Sequence, residues 1–63
     1  MQEKLDKLLK TKVCLVDGRV DRVYDGILTK SGTIYSVSDE CGFLSQFSIS
    51  IVKFVKGRII LVN

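Results

Sequence analysis

Hydrophobic and polar residues follow two different periods along the chain, one over the first ten residues and another over the rest. At the start, Leu5, Leu8 and Leu9, together with Met1, have the i, i+3, i+4 spacing of a single apolar stripe on a helix. Lysines crowd the end of this segment, where the helix dipole favours them. The pattern predicts a short helix over residues 2–10. Because so short a helix is unstable alone in water, we expect it to pack on the rest of the chain.

Beyond Thr11 the apolar positions alternate with polar ones, as they do in half-buried β-strands. Polar, glycine-containing turn signals divide this part of the chain into segments. These signals are Asp17-Gly18, Ser31-Gly32, residues 39–42 and Lys56-Gly57-Arg58. The pattern predicts five strands, over residues 12–16, 19–30, 33–38, 43–55 and 58–62.

Two of these strands are predicted to bend. Gly26 lies in the middle of the second strand, where a glycine indicates a bulge or a sharp bend. In the fourth strand the apolar positions change phase at Ile51-Val52, which predicts a bulge or bend there. Long strands with two bends allow a five-stranded sheet to curl into a small barrel. We therefore predict one mainly β domain over residues 1–63. In it, the short N-terminal helix lies across one open end of a five-stranded, strongly bent antiparallel small barrel in meander order.

The size of the chain indicates that it associates with other subunits. It has 63 residues, of which 46% are hydrophobic, and a mean hydropathy of +0.24. A single domain this small is marginally stable, and another subunit would cover part of its apolar surface. The charged N-terminus does not resemble a signal peptide, and no apolar run has the length of a membrane span. These features predict a cytoplasmic protein in which Cys14 and Cys41 are reduced, with a disulfide between them as the alternative.

Candidate catalytic and metal-binding groups are few. The chain has no histidine, which is the commonest general base and metal ligand, and its two cysteines do not make a zinc site. Asp17, Asp21 and Asp25 recur at every fourth residue, but this is not the spacing of a calcium-binding loop. Solvated strand charges and Asp-Gly turns account for them. We therefore expect a non-enzymatic protein without a cofactor or a bound metal.

Two segments resemble the motifs of the Sm-like family, which comprises the Sm, LSm and Hfq proteins. "VCLVDGR" (residues 13–19), followed by "GIL" (residues 26–28), is similar to the first motif, where strand one ends in an Asp-Gly-Arg-type turn. "FVKGRIILV" (residues 54–62) is similar to the second motif. The chain departs from the family in a longer spacing within the first motif, and in having "TKSGTI" (residues 29–34) in place of the family's base-stacking segment. SH3-like and KOW barrels share the strand pattern.

The resemblance implies a homo-oligomer, a ring of six or seven subunits in which the final strand of one subunit adds to the fourth strand of the next. The last apolar strand has no proline and no blunting charge after Arg58, as expected of an edge that a neighbour covers. The alternative is that this strand is an ordinary central strand within one chain. The residues predicted for the interface are Phe54, Ile59, Ile60, Leu61 and Val62.

Basic residues near two turns are the candidates for binding single-stranded RNA. The resemblance places Lys56, Gly57 and Arg58 on the inner rim of a ring, where they would form a positive funnel. Lys30 would meet phosphate at the family's other nucleotide-facing loop. Tyr35 would stack on a base there, but its place in an alternating strand favours packing over stacking.

Two hypotheses about function follow. The first is a ring-forming Sm-like protein that binds single-stranded RNA through these residues. The second is a protein-interaction or structural module of the same fold that oligomerises by strand addition without binding nucleic acid. The net charge of +3 permits a polyanionic partner without requiring one.

Overall fold

The protein's structure, a computed structural model, describes residues 2–62 and has one short helix and six strands in that range. The predicted mainly β fold with a short N-terminal helix is confirmed, but the predicted number of strands, five, is wrong. Met1, which was included in the apolar stripe of the helix, lies outside the described residues. The elements are α1 (Gln2–Asp6), β1 (Lys12–Asp17), β2 (Arg22–Ser31), β3 (Ile34–Asp39), β4 (Leu44–Ser48), a 3-10 turn (Ile49–Ile51), β5 (Val52–Val55) and β6 (Arg58–Leu61).

The helix is shorter than predicted, because the chain leaves the helical path before Lys10. Lys10 has a positive φ of 68°, and its N–H donates to the carbonyl of Leu28 in β2 at 2.7 Å. The Leu28 N–H in turn donates to the carbonyl of Thr11 at 3.0 Å. After Asp6, the N–H groups of Leu8 and Leu9 donate to carbonyls three residues back, so this segment forms turns, and bonds to the sheet begin at Lys10. Leu5, which is fully buried, anchors α1 on the core.

The six strands form one sheet in the order β4-β3-β2-β1-β6-β5. Neighbouring strands are antiparallel except β1 and β6, which pair in parallel with Leu15 opposite Ile59 and Val16 opposite Ile60. The final strand therefore has β1 on one side and β5 on the other. The prediction that the final strand is an unpaired edge is wrong, because β6 pairs with β5 in a hairpin and with β1 on its other side. The alternative, a central strand within one chain, is the arrangement found.

The predicted fourth strand is two strands separated by a 3-10 turn. β4 ends at Ser48, Ile49–Ile51 form the turn, and β5 begins at Val52. The N–H of Val52 donates to the Ile49 carbonyl and closes the turn. The change in apolar phase at Ile51-Val52 therefore coincides with the start of a new strand, and not with a bend inside one strand.

Gly26 does not form the predicted bulge. Its pairing with Val13 in β1 and with Asp39 in β3 belongs to two continuous registers. The position needs glycine because the Ser38 carbonyl group of β3 occupies the space that a side chain would fill.

The sheet is strongly curved. In a flat sheet, β1 and β4 would lie about 14 Å apart, with β2 and β3 between them. Instead, the Ser45 hydroxyl of β4 donates to the carboxylate of Asp17 at the end of β1, with 2.8 Å between the oxygens. Within the described residues the outer strands β4 and β5 do not pair with each other, so hydrogen bonding does not close the sheet.

The core fills the concave side of this sheet. Its side chains come from α1 and from every strand, and Leu5, Leu15, Leu28, Val37 and Leu61 are fully buried. Within residues 2–62, no helix is long and apolar enough to cross a membrane. The convex side and the two outer strands remain as the surfaces on which a partner could dock.

Candidate interaction surfaces

Lys30 and Tyr35, two of the predicted RNA-binding residues, form a cluster with the helix. The Tyr35 hydroxyl donates to the Asp6 carboxylate at 2.6 Å, and the Lys30 ammonium lies 3.4 Å from the same carboxylate oxygen. The bond from Tyr35, assisted by the charge of Lys30, lowers the pKa of Asp6, while burial raises the pKa of Tyr35. The cluster ties α1 to β2 and β3.

Tyr35 has no ring face open to a base. Its side chain is 1% exposed, and its ring stacks on Phe47 in the core with 5.9 Å between centroids. The Lys30 ammonium lies 5.0 Å from the Tyr35 ring centroid. The interpretation of Tyr35 as a packing residue therefore agrees with the structure, and Lys30 is held by neighbours in its own chain.

Lys56, Gly57 and Arg58 lie together at the β5–β6 hairpin. Lys56 and Gly57 have φ values of 50° and 79°, as the two central residues of a type I′ turn require. Lys53, on β5, is exposed on the same hairpin. The ion pairs found within residues 2–62 are Asp17–Arg19 and Asp6–Lys30, so none of the three cations is paired in that range. We call β5, β6 and their turn the basic hairpin.

The residues predicted for an interface occupy different environments. Ile59 and Leu61 are 1% and 0% exposed and belong to the core. Ile60 and Phe54 are half-buried, and Val62 is exposed. Only the last three have side-chain surface available to a partner.

β5 is an open edge of the sheet. In a hairpin with a two-residue turn, Val55 and Arg58 exchange both hydrogen bonds, and the bonded positions then recur at every second residue. The bond from Val62 N–H to the Ile51 carbonyl, at 3.0 Å, continues this series. The N–H and C=O of Phe54 therefore point away from β6, toward any strand that joins the sheet.

β4 is the opposite edge, and one of its outward groups is already occupied. The Asp39 N–H donates to the Phe43 carbonyl at 3.0 Å. Along β4, residues that bond to β3 alternate with residues that do not, so the N–H and C=O of Gln46 point away from β3. The Arg19 guanidinium donates to the Gln46 carbonyl at 2.9 Å. Arg19 thus caps part of this edge, as positive side chains often do on natural sheet edges.

Asp17 holds Arg19 in place and is itself almost completely buried, with 2% exposed. Its carboxylate accepts bonds from the Arg19 backbone N–H, from two guanidinium nitrogens of Arg19 and from the Ser45 hydroxyl, at 2.8–3.0 Å. The bonds from Arg19 outweigh the effect of burial and lower the pKa of Asp17 to about 2. Sequence reasoning missed this network, and the Asp-Gly-Arg triplet was its only local signal.

Several large apolar side chains lie on the surface. Phe43 is 48% exposed, and the Arg22 guanidinium covers one face of its ring at 3.7 Å. The Lys4 ammonium lies 4.8 Å from the ring centroid of Phe54. The exposed large apolar residues are Val20, Val23, Ile27, Ile34, Phe43, Leu44, Val55 and Val62.

Groups suited to metal binding are not assembled in the described part of the chain. Within residues 2–62, no three His, Cys, Asp or Glu side chains are placed to hold a metal ion. Cys14, on β1, is half-buried and Cys41, in the β3–β4 turn, is exposed; neither is in a disulfide.

Comparisons with known proteins give no match. No family model, no curated protein and no solved structure is significantly similar to the chain.

Proposed function

We propose that the protein is a non-enzymatic, small-barrel interaction module that oligomerises by adding strands at the edges of its sheet. The observation that carries the proposal is the open edge at β5, where the N–H and C=O of Phe54 have no strand to bond with among residues 2–62. A neighbouring strand supplies those bonds and covers nearby apolar surface. The reduced state of Cys14 and Cys41 and a cytoplasmic location belong to the same proposal.

The two edges allow two kinds of assembly. If β5 of one copy joins β4 of the next, the contact is heterologous, and a ring forms when the rotation per subunit closes; six or seven subunits is the form that the Sm-like resemblance implies. If β5 joins β5, the contact is isologous and produces a dimer. The heterologous contact requires Arg19 to release the Gln46 carbonyl, whereas the isologous contact does not.

Amide hydrogen exchange distinguishes these arrangements. In an assembly formed through β5, the Phe54 amide is expected to become protected as the protein concentration rises, by about tenfold or more. The Lys53 amide, which bonds to β6, is the internal control and should be protected at every concentration. If the Gln46 amide also becomes protected as the protein concentration rises, the contact is the heterologous one between β5 and β4. A 7.1 kDa particle by light scattering at all concentrations, with Phe54 always exchanging freely, would rule out strand addition.

A second candidate function is binding of single-stranded RNA by the assembled protein. Three exposed cations on the basic hairpin, without an ion pair within residues 2–62, favour it. Attraction to phosphate would provide the affinity. Stacking would contribute little, because Tyr35 is buried and the accessible aromatic rings, Phe43 and Phe54, have cations from their own chain near their faces.

Replacing Lys56 and Arg58 together with alanine is expected to weaken RNA binding at about 0.1 M salt by roughly tenfold or more. The slope of log affinity against log salt should fall by about 1.4, since each contact with a single strand contributes about 0.7. Affinity for polyuridine over a range of salt concentrations measures both effects. The matched control is Lys7→Ala with Lys10→Ala, which removes two exposed charges from the N-terminal segment. Equal affinities for the two double variants would remove the RNA proposal and leave strand addition untouched.

A further inference from the structure

Three side chains form a row across the convex face of the sheet, with a negative charge at one end of the row and a positive charge at the other. On β1, the residues Cys14 and Val16 alternate with buried ones and so lie on the convex face. Cys14 pairs with Asp25 of β2, and partners across strands share a face. On the other side of β1, Val16 pairs with Ile60 of β6, which puts Arg58 beside Cys14. Asp25, Cys14 and Arg58 therefore cross three neighbouring strands, with Cys14 in the middle.

The surface around this row divides into an acidic side and a basic side. Asp25, Asp39 and Glu40 line one shallow depression, with Lys12 of β1 as the single cation among its lining residues. Lys56 and Arg58, with Val55 and Ile60, line another on the opposite side of β1. Within residues 2–62 neither Asp25 nor Arg58 forms an ion pair. The convex face thus has an acidic half and a basic half, and Asp25 and Arg58, one on each half, are free of ion pairs within the described residues.

This arrangement is complementary to itself. A two-fold rotation about an axis that lies parallel to the face and runs along β1 above Cys14 turns a second copy face to face with the first and exchanges the β2 side with the β6 side. It therefore places Asp25 of one copy against Arg58 of a second copy, and Arg58 against Asp25. The same rotation brings Val23, which is 60% exposed and level with Val16, to Ile60 of the second copy. An isologous contact has this property, in which each residue pair occurs twice.

We propose that a second copy of this chain docks on the convex face of β2, β1 and β6, with two Asp25–Arg58 ion pairs on either side of a central Cys14–Cys14 contact. The contact is separate from the strand-edge assembly proposed above, because it uses side chains on the face and not backbone groups at β4 or β5. It engages Arg58 but leaves Lys53 and Lys56 available to a polyanion.

A charge exchange tests the pairing. Asp25→Arg alone, or Arg58→Asp alone, places like charges opposite each other twice and is expected to raise the dimer dissociation constant roughly tenfold or more. The double variant, Asp25→Arg with Arg58→Asp, restores both pairs and should return the constant to within about threefold of the starting protein. Analytical ultracentrifugation at low salt is the measurement, since salt screens exposed pairs. Glu3→Arg and Lys7→Glu make the same changes of charge away from this face and are the matched controls.

Cross-linking provides a second measurement that needs no charged variant. In Cys41→Ser, copper–phenanthroline should join two copies rapidly through Cys14; the two thiols lose their protons and pass two electrons to the oxidant. The single charge variants should cross-link several times more slowly, and the double variant at close to the original rate.

Three results would overturn the proposal: no covalent dimer through Cys14, single variants that behave like the controls, or a double variant that does not recover. If the charged variants do not fold, the cross-linking of Cys41→Ser alone decides. Hydrogen exchange at the Phe54 amide reports on strand addition alone. The two sets of experiments can therefore reject either interface without rejecting the other.

Discussion

Replacing Gly26 with valine is expected to lower the free energy of unfolding by about 3 kcal/mol or more, at the upper end of what single substitutions do. Gly26 is buried in β2 between two paired strands, opposite Val13 on one side and Asp39 on the other. A Cβ atom there would overlap the Ser38 carbonyl oxygen and lie 2.7 Å from the Ser38 carbonyl carbon. These are backbone atoms of β3, which cannot move away without breaking the ladder to β2 or β4. Urea unfolding followed by circular dichroism measures the loss.

Gly42→Asn is the matched control for this substitution. Gly42 has a φ of 88°, which asparagine adopts more readily than most residues, and no atom lies within 4 Å of a Cβ placed there. This variant should lose less than about 1 kcal/mol. Similar losses for Gly42→Asn and Gly26→Val would show that close packing of β2 against β3 is not what selects glycine at position 26.

Replacing Asp17 with asparagine is expected to lower the free energy of unfolding at neutral pH by about 2 kcal/mol, and by less as the pH falls. The folded-state pKa of Asp17 is about 2, against 3.8 for an unperturbed aspartate. A difference of about 1.8 pH units corresponds to about 2.5 kcal/mol of linked stability. Since the folded-state pKa is the lower one, this stability is complete above pH ~4 and is lost as the pH falls through ~2. The starting protein and Asp17→Asn should therefore converge in stability near pH 2.

Thermal and urea unfolding between pH 7 and pH 2 provide the comparison. Glu40→Gln removes an exposed carboxylate from the β3–β4 turn and is the control; it should change stability by less than about 0.5 kcal/mol at any pH. A constant difference between Asp17→Asn and the starting protein over this pH range would mean that the ionised carboxylate does not provide the stabilisation. The loss of stability would then come from poorer packing of the asparagine side chain at this position.

Local features of the fold were predictable from the sequence because they depend on neighbouring residues. Alternation in β1 and β3 correctly indicated strands, and the buried side chains Val13, Leu15 and Val37 occupy alternate positions in them. The turn at Lys56-Gly57 followed from the conformational freedom of glycine. The packing interpretation of Tyr35 followed from its place in an alternating segment.

Features that depend on contacts distant in the sequence were not predictable in this way. No local pattern shows that β6 pairs in parallel with β1, since this pairing joins residues from the two ends of the chain. Asp17 was interpreted as a solvated turn residue because Asp-Gly is a common turn. Its burial depends on Ser45, which the curvature of the sheet brings next to it. The apolar residues of β6 correctly predicted a strand, but the strands that pair with it are β1 and β5 of the same chain.

The central position of β6 also determines when the domain can form during translation. The ribosome makes Arg58–Leu61 after the other five strands of this sheet, yet these residues complete the core with Ile59 and Leu61 and join β1 to β5. A nascent chain that has emerged only as far as β5 lacks this connection and exposes one flank of β1 to chaperones and proteases. The six-stranded sheet therefore forms only after β6 has left the exit tunnel, and a chain cut short before Arg58 cannot complete it.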